Sequence, residues 1–166
     1  TCMSPLPIDD DAPHHPGVRF PPPLLFVLPL GIGTLIHQWL PLHIVAAQWR
    51  VSSVIVGWLL IGVWASLSGW AMVTFWRQRT PIIPNRPATR LVTWGPYRLS
   101  RNPMYLALSA LYLGVSALVN VFWPLFFFPI VVTLLYFLVI RREEHYLSAA
   151  FGNEYDSYCA SVRRWL

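Results

Sequence analysis

Apolar positions along this chain fall in blocks rather than stripes. Leu24 to Ala47 contains no arginine, lysine or acid, and Val51 to Trp76 is a second uncharged run. Met104 to Ile140 is a third. About 20 apolar residues span a bilayer core, so the first two blocks each predict one span, the first broken near Pro41. The third block is too long for one crossing. As a single helix it reaches about 55 Å at 1.5 Å per residue, against a core of about 30 Å. Asn120 and Pro124 mark its break, which predicts a tight helical hairpin with both ends on the same side. The expected spans are therefore 24–47, 51–76, 103–120 and 124–140. Beyond Ile140 the pattern changes. Glu143, Leu147, Phe151, Tyr155 and Tyr158 recur at helical spacing, which predicts an amphipathic helix over 142–159 along the membrane surface. Gly152 is its weak point. On that face Glu143 turns inward and Glu144 lies about 100° away.

Composition agrees with a membrane protein. The chain is 55% hydrophobic and 11% charged, with a mean hydropathy of +0.49, where soluble domains carry about 25% charge. The fold class expected is all-α and integral to the membrane. Four transmembrane helices, a cytoplasmic loop and a C-terminal amphipathic helix enclose a site in one domain over 21–166. Residues 1–20 are acidic and proline-bearing, and a disordered tail is expected there. The net charge of +5 comes from arginine alone. Ten of the twelve arginines lie in 77–102 or after residue 140. The positive-inside rule puts both regions, and both termini, on the cytoplasmic side. No basic stripe follows one face, so nucleic acid is not an expected partner. Cys2 and Cys159 form no disulfide framework, and no metal site is expected. Gly62 with Ser66, and Ala110 with Gly114 and Ala117, offer small faces for close helix packing. Trp58, Trp64, Trp70 and Trp76 read as packing or lipid-facing residues. His37 and Gln38 fit a helix end at the headgroups, with a proton or ligand role as the alternative.

Candidate chemistry concentrates in two polar segments. The loop Arg77 to Asn102 holds Pro81, Pro84, Pro87 and Pro96 and six arginines, together with apolar Ile82, Ile83, Leu91, Val92, Trp94 and Tyr97. Rigid prolines and sticky side chains point to an ordered loop that forms a site. It ends in Ser100-Arg101-Asn102-Pro103, a helix start. A plain N-cap explains that spacing. Beside Arg98 and Arg101, the same helix start can also hold a carboxylate or phosphate. The second segment is Arg141-Arg142-Glu143-Glu144. A carboxylate turned inward there needs a cation or hydrogen-bond donors. The closing Arg163-Arg164-Trp165 reads as a headgroup anchor.

Three motifs in order carry a resemblance. They are Gly95-x-Tyr97, Arg101-Asn102-Pro103-Met104-Tyr105, and Glu143-Glu144-x-x-Leu147-x-x-x-Phe151-Gly152-x-x-Tyr155-x-x-Tyr158. Together they resemble the isoprenylcysteine carboxyl methyltransferases and their bacterial relatives, a branch that includes phospholipid methyltransferases. The resemblance spans about residues 20 to 166. It implies an integral membrane enzyme that uses S-adenosylmethionine and releases S-adenosylhomocysteine. No glycine-rich dinucleotide fingerprint is present, which agrees. Cofactor-contacting positions of the family fall on Thr89, Arg90, Leu91, Val92, Tyr97, Arg101, Asn102, Pro103, Met104 and Tyr105. Its cofactor-binding glutamate falls on Glu143. Eukaryotic members have His at the place of Asn102, so a titrating role there is not carried over. Their substrate arginine falls on Val139. Arg142 or Arg141 stands in for it, with Arg142 and Glu143 as the catalytic pair.

The resemblance leaves the acceptor open. It is expected to be lipophilic, a lipid or small molecule entering from the bilayer, and to offer a carboxylate, thiol or amine. Two other readings compete: an NADPH-dependent membrane reductase akin to sterol reductases, and a non-catalytic membrane subunit. Oligomeric state is not set by the sequence.

Overall fold

The computed structural model describes residues 21–78 and 91–165. The expected tail over 1–20 lies outside them, as do Thr89 and Arg90 of the candidate site. Among the described residues the chain is all-helical, with no strand. Helix α1 is Pro22–Trp39 and α2 is Arg50–Gln78, entered through a short 3₁₀ turn at Ala47–Trp49. A second 3₁₀ turn, Gly95–Arg98, precedes α3, Pro103–Val119. Helix α4, Phe122–Leu135, runs through a π-helical turn at Tyr136–Ile140 into α5, Arg141–Phe151. Helix α6, Asn153–Ser161, is the last.

Two of these helical stretches are long and apolar enough to cross a membrane, Ala47–Arg77 and Phe122–Phe151. At 1.5 Å per residue the second is about 45 Å long, longer than a bilayer core. The reason is the missing break at Ile140. The helix expected over 142–159 is not separate at its start: it continues α4 through Ile140, and a bend appears only at Gly152 (φ 48°, ψ −124°). Large apolar side chains cover the outside: Trp58, Trp76 and Val51 are 62%, 80% and 72% exposed. Meanwhile Ser53, Thr74, Ser116 and Asn120 are buried. That is the reverse of a water-soluble surface, and the protein is membrane-associated.

The described residues divide into two units, within Phe20–Leu67 plus Met104–Leu135, and within Ser68–Pro103 plus Tyr136–Leu166. The first is the hairpin unit. Its predicted break is present and its cause is visible. Asn120 closes α3 in the left-handed region (φ 57°), which asparagine tolerates best after glycine. The Val121 N–H reaches back to the Ser116 carbonyl at 3.3 Å, the 6→1 bond of a Schellman end. Tyr112 donates its hydroxyl to the Pro124 carbonyl at 2.7 Å and stacks on Phe128. Asn120 also ties down the α1–α2 connection, accepting from the Val45 N–H at 3.0 Å and donating to its carbonyl at 3.1 Å. Arg50 donates to the Ala117 and Leu118 carbonyls, and Ser53 to Ala117 at 2.7 Å, so the C-terminus of α3 is satisfied by side chains of α2.

Small residues set the close approaches, though not where the pattern placed all of them. Gly114 touches α2 as expected: a Cβ there would lie 3.0 Å from the Gly57 carbonyl. Gly57 is its counterpart, with a Cβ only 2.7 Å from Leu118. Gly62 has nothing within 4 Å, so the expected Gly62–Ser66 face is not a contact among the described residues.

Candidate functional site

The second unit brings the two polar segments together. Its loop turns at Gly95, whose φ of 63° suits glycine. A Cβ at that position would lie 2.5 Å from the Thr74 hydroxyl, so a side chain is excluded twice. The turn seats Tyr97 edge-on against Phe75, ring centres 5.6 Å apart. Tyr158 of α6 then donates its hydroxyl to the Tyr97 carbonyl at 2.7 Å, joining the loop to the end of the chain. Trp94 stays exposed with the Arg98 guanidinium 4.4 Å over its ring.

After the turn, Ser100-Arg101-Asn102 runs alongside residues 163 and 164. The Arg101 N–H donates to the Arg163 carbonyl at 3.0 Å. The Ser100 hydroxyl and the Asn102 amide both donate to the Arg164 carbonyl, at 3.2 and 3.1 Å. Ser100 in turn accepts the Asn102 N–H at 3.1 Å. Buried Ser100 and Asn102 thus have partners without any anion, and a strap of following chain supplies them. The same residue closes the charge network. Arg164 grips Glu144 with two hydrogen bonds, 2.8 Å from Nε and 2.7 Å from the terminal nitrogen. Arg101 lies 3.4 Å from the same carboxylate. This fork geometry is the strong form of an arginine–carboxylate pair. It holds the Arg164 guanidinium more firmly protonated than usual.

Two readings of the sequence are corrected here. Glu144, 8% exposed, is the more deeply buried acid, and Glu143 is half-buried. Glu144 is the acid that meets Arg101 and Arg164. The stripe from Glu143 to Tyr158 lies on two helices, so positions before and after residue 152 do not share one helical phase. Arg164, read as a headgroup anchor, is folded against Glu144 and the Tyr136 ring instead. A usable signal existed: a carboxylate inside an apolar protein requires a cation, and Arg163-Arg164 follows the last helix.

The remaining candidates are distributed as follows. Val92 and Pro103 are buried, and Leu91 is half-buried. Met104 and Tyr105 open α3 and group with the hairpin unit, where the Tyr105 carbonyl accepts the Ser109 hydroxyl. Arg141 and Arg142 are exposed. Glu143 is close enough for its charge to act on Tyr97, whose phenol is raised above its ordinary range by burial first, then by Glu143 and Tyr158. Tyr155 is pushed up to about 12 by burial and by Glu144, with Arg101 opposing. Burial raises Tyr158 as well. All three phenols are therefore neutral at cellular pH and act as walls and hydrogen-bond donors rather than as bases.

Comparison with known proteins adds a family. A model described as phospholipid methyltransferase matches residues 52–154, which takes in the Tyr97 turn, the Arg-Asn-Pro segment and the acid pair. The nickel-cobalt-cadmium resistance protein NccN of Alcaligenes xylosoxydans xylosoxydans is 36% identical over 76 residues, 46% of this chain. That match spans about a third of the relative, 35% of its length. No solved structure matches.

Proposed function

Since the chain belongs to the phospholipid methyltransferase family, we propose that it transfers a methyl group from S-adenosylmethionine to a lipophilic acceptor held in the bilayer. The observation that carries this reading is the convergence in one unit of the Arg-Asn-Pro segment, the Tyr97 turn and the acid pair of α5. Four spans complete the proposal, with α1 and α3 joining the two long helices. Both polar segments then face the cytoplasm of a bacterial inner membrane.

The donor set fits the cofactor. Glu143 is a half-buried carboxylate whose charge reaches Tyr97, suited to accept hydrogen bonds from a ribose or an ammonium group. Arg98, exposed over Trp94, is a cation for the methionine carboxylate. Arg101 is the weaker choice, because it already neighbours Glu144. When bound, S-adenosylmethionine supplies a sulfonium methyl group for in-line transfer. Tyr97 and Trp94 offer aromatic faces to that positive charge, and Leu91 and Val92 exclude water from it. Arg142 orients an anionic acceptor. A carboxylate acceptor needs only that orientation. An amine or thiol must lose a proton first, and the raised phenols of Tyr97, Tyr155 and Tyr158 do not take it.

Calorimetric titration of the purified full chain with S-adenosylmethionine tests the reading. Binding is expected, weakened at least tenfold in Glu143→Ala. Absence of binding by the wild type, or equal binding by the variant, overturns the site assignment. Mass spectrometry of membrane extracts incubated with protein and labelled donor then identifies the lipid that gains a methyl group.

A further inference from the structure

Far along the sequence from the acid pair, the hairpin unit contains a second concentration of chemistry. His37 stands in the last turn of α1, and His43 in the connection that follows. Their rings meet at 89° with centres 5.0 Å apart. His37 Nδ1 is buried without a hydrogen-bond partner. A buried polar atom of that kind calls for an explanation, and an ion is one of the few. His43 is exposed, so the pair is open on one side.

The spacing is informative. A borderline divalent metal sits about 2.0–2.1 Å from an imidazole nitrogen, and the ring centre lies about 1.1 Å further back. Two imidazoles sharing one tetrahedral ion put their centres about 5 Å apart, a spacing the 5.0 Å edge contact of this pair allows. The connection is also held still. Trp123 donates its indole N–H to the Leu40 carbonyl at 2.8 Å, and the Phe122 N–H reaches Leu42 at 3.0 Å. Asn120 clamps Val45 in both directions. His43 thus lies between three anchored residues, on a segment that would otherwise be a loose loop. Such anchoring lowers the ordering cost of binding.

We propose that His37 and His43 form a two-histidine site for a borderline divalent transition metal, such as Zn²⁺, Co²⁺ or Ni²⁺, with water completing the coordination. The site departs from the sequence reading, which expected no metal, and it does not depend on methyl transfer. With only two protein ligands it is a weak, exchangeable site rather than a structural one.

The test uses the full chain, purified in detergent without a histidine tag. Zn²⁺ is titrated calorimetrically, and Co²⁺ by its visible absorption, which reports tetrahedral coordination. One ion per chain is expected. A variant lacking the other histidines (His14→Ala, His15→Ala, His145→Ala) should bind equally well. His37→Gln and His43→Asn should each weaken binding at least tenfold. His43 is exposed, so His43→Asn should keep the wild-type melting temperature and carry the test even if His37→Gln folds poorly. No binding by the wild type overturns the proposal. So does binding that either substitution leaves unchanged, because the site requires both rings.

Discussion

Both units bury polar groups, but they satisfy them in different ways. In the hairpin unit Asn120, Arg50, Ser53 and Tyr112 all bond to backbone, including carbonyls freed by the end of α3. In the other unit Ser100 and Asn102 also use backbone, but there charge meets charge as well, with Glu144 between Arg164 and Arg101. Backbone satisfaction is a local repair whose need is set by the helix break itself. The ion pair joins residues twenty positions apart across a helix break. Stability of the hairpin unit should therefore be spread over many modest bonds, and that of the clamp concentrated in one.

The largest effect should follow from removing the shared acid. Glu144→Ala leaves Arg101, with its side chain 7% exposed, without the acid it pairs with. Breaking a buried ion pair from one side costs about 3–5 kcal/mol. Arg164→Ala should cost less, about 2–3 kcal/mol, because its guanidinium is partly solvated and Arg101 still neighbours the carboxylate. Arg164→Lys keeps the charge but loses the fork, and should fall between wild type and Arg164→Ala. Denaturant unfolding in detergent measures all three. A Glu144→Ala chain as stable as wild type would remove the contrast between the units.

Next come changes that test the distributed side. Asn120→Ala loses two hydrogen bonds and a residue type that, after glycine, best tolerates its positive φ. About 2 kcal/mol is expected at roughly 1 kcal/mol per bond. Asn120→Gly should recover the backbone share but not the bonds. Gly57→Val forces a side chain against Leu118 and the Gly114 carbonyl, for about 1–3 kcal/mol of overpacking. The same substitution at open Gly62 should be nearly neutral. If Gly62→Val proved the more damaging, the α2–α3 contact would be misplaced.

The pattern of these contacts explains what could be read in advance. The hairpin was legible because Asn120 and Pro124 interrupt an otherwise uniform apolar run, and a break leaves its own chemical signature. The Arg-Asn-Pro segment and the acid pair were legible as motifs. Their partners were not. Choosing between Glu143 and Glu144 required knowing where Arg101 and Arg164 lie, and the stripe beyond Gly152 was no guide because one residue at φ 48° ends the helix that carries both acids. Arg164 lies beyond the last helix, where periodicity has nothing to say. The π-helical turn at Tyr136–Ile140, which carries α4 into α5, interrupts no hydrophobic pattern, so the helix looked finished at Ile140.

The smallest effects concern the phenols, and they separate packing from charge. Tyr158→Phe removes the hydroxyl bonded to the Tyr97 carbonyl and should cost about 1 kcal/mol at neutral pH. The pH dependence follows from direction. An unfolded tyrosine ionises near 10, while folding pushes Tyr155 up to about 12 and raises Tyr97 and Tyr158 too. Folding thus favours the neutral phenol. That contribution is intact below about pH 10 and is lost as pH rises towards the folded value. Unfolding measured between about pH 9 and 11.5 should show stability falling across that window. Tyr155→Phe should flatten part of the fall, since phenylalanine has no proton to lose. Glu144→Gln should steepen nothing at Tyr97, whose neighbouring charge is Glu143. An alkaline profile unaltered by Tyr155→Phe would mean that this ring is solvated, and that α6 does not pack as closely as its burial requires.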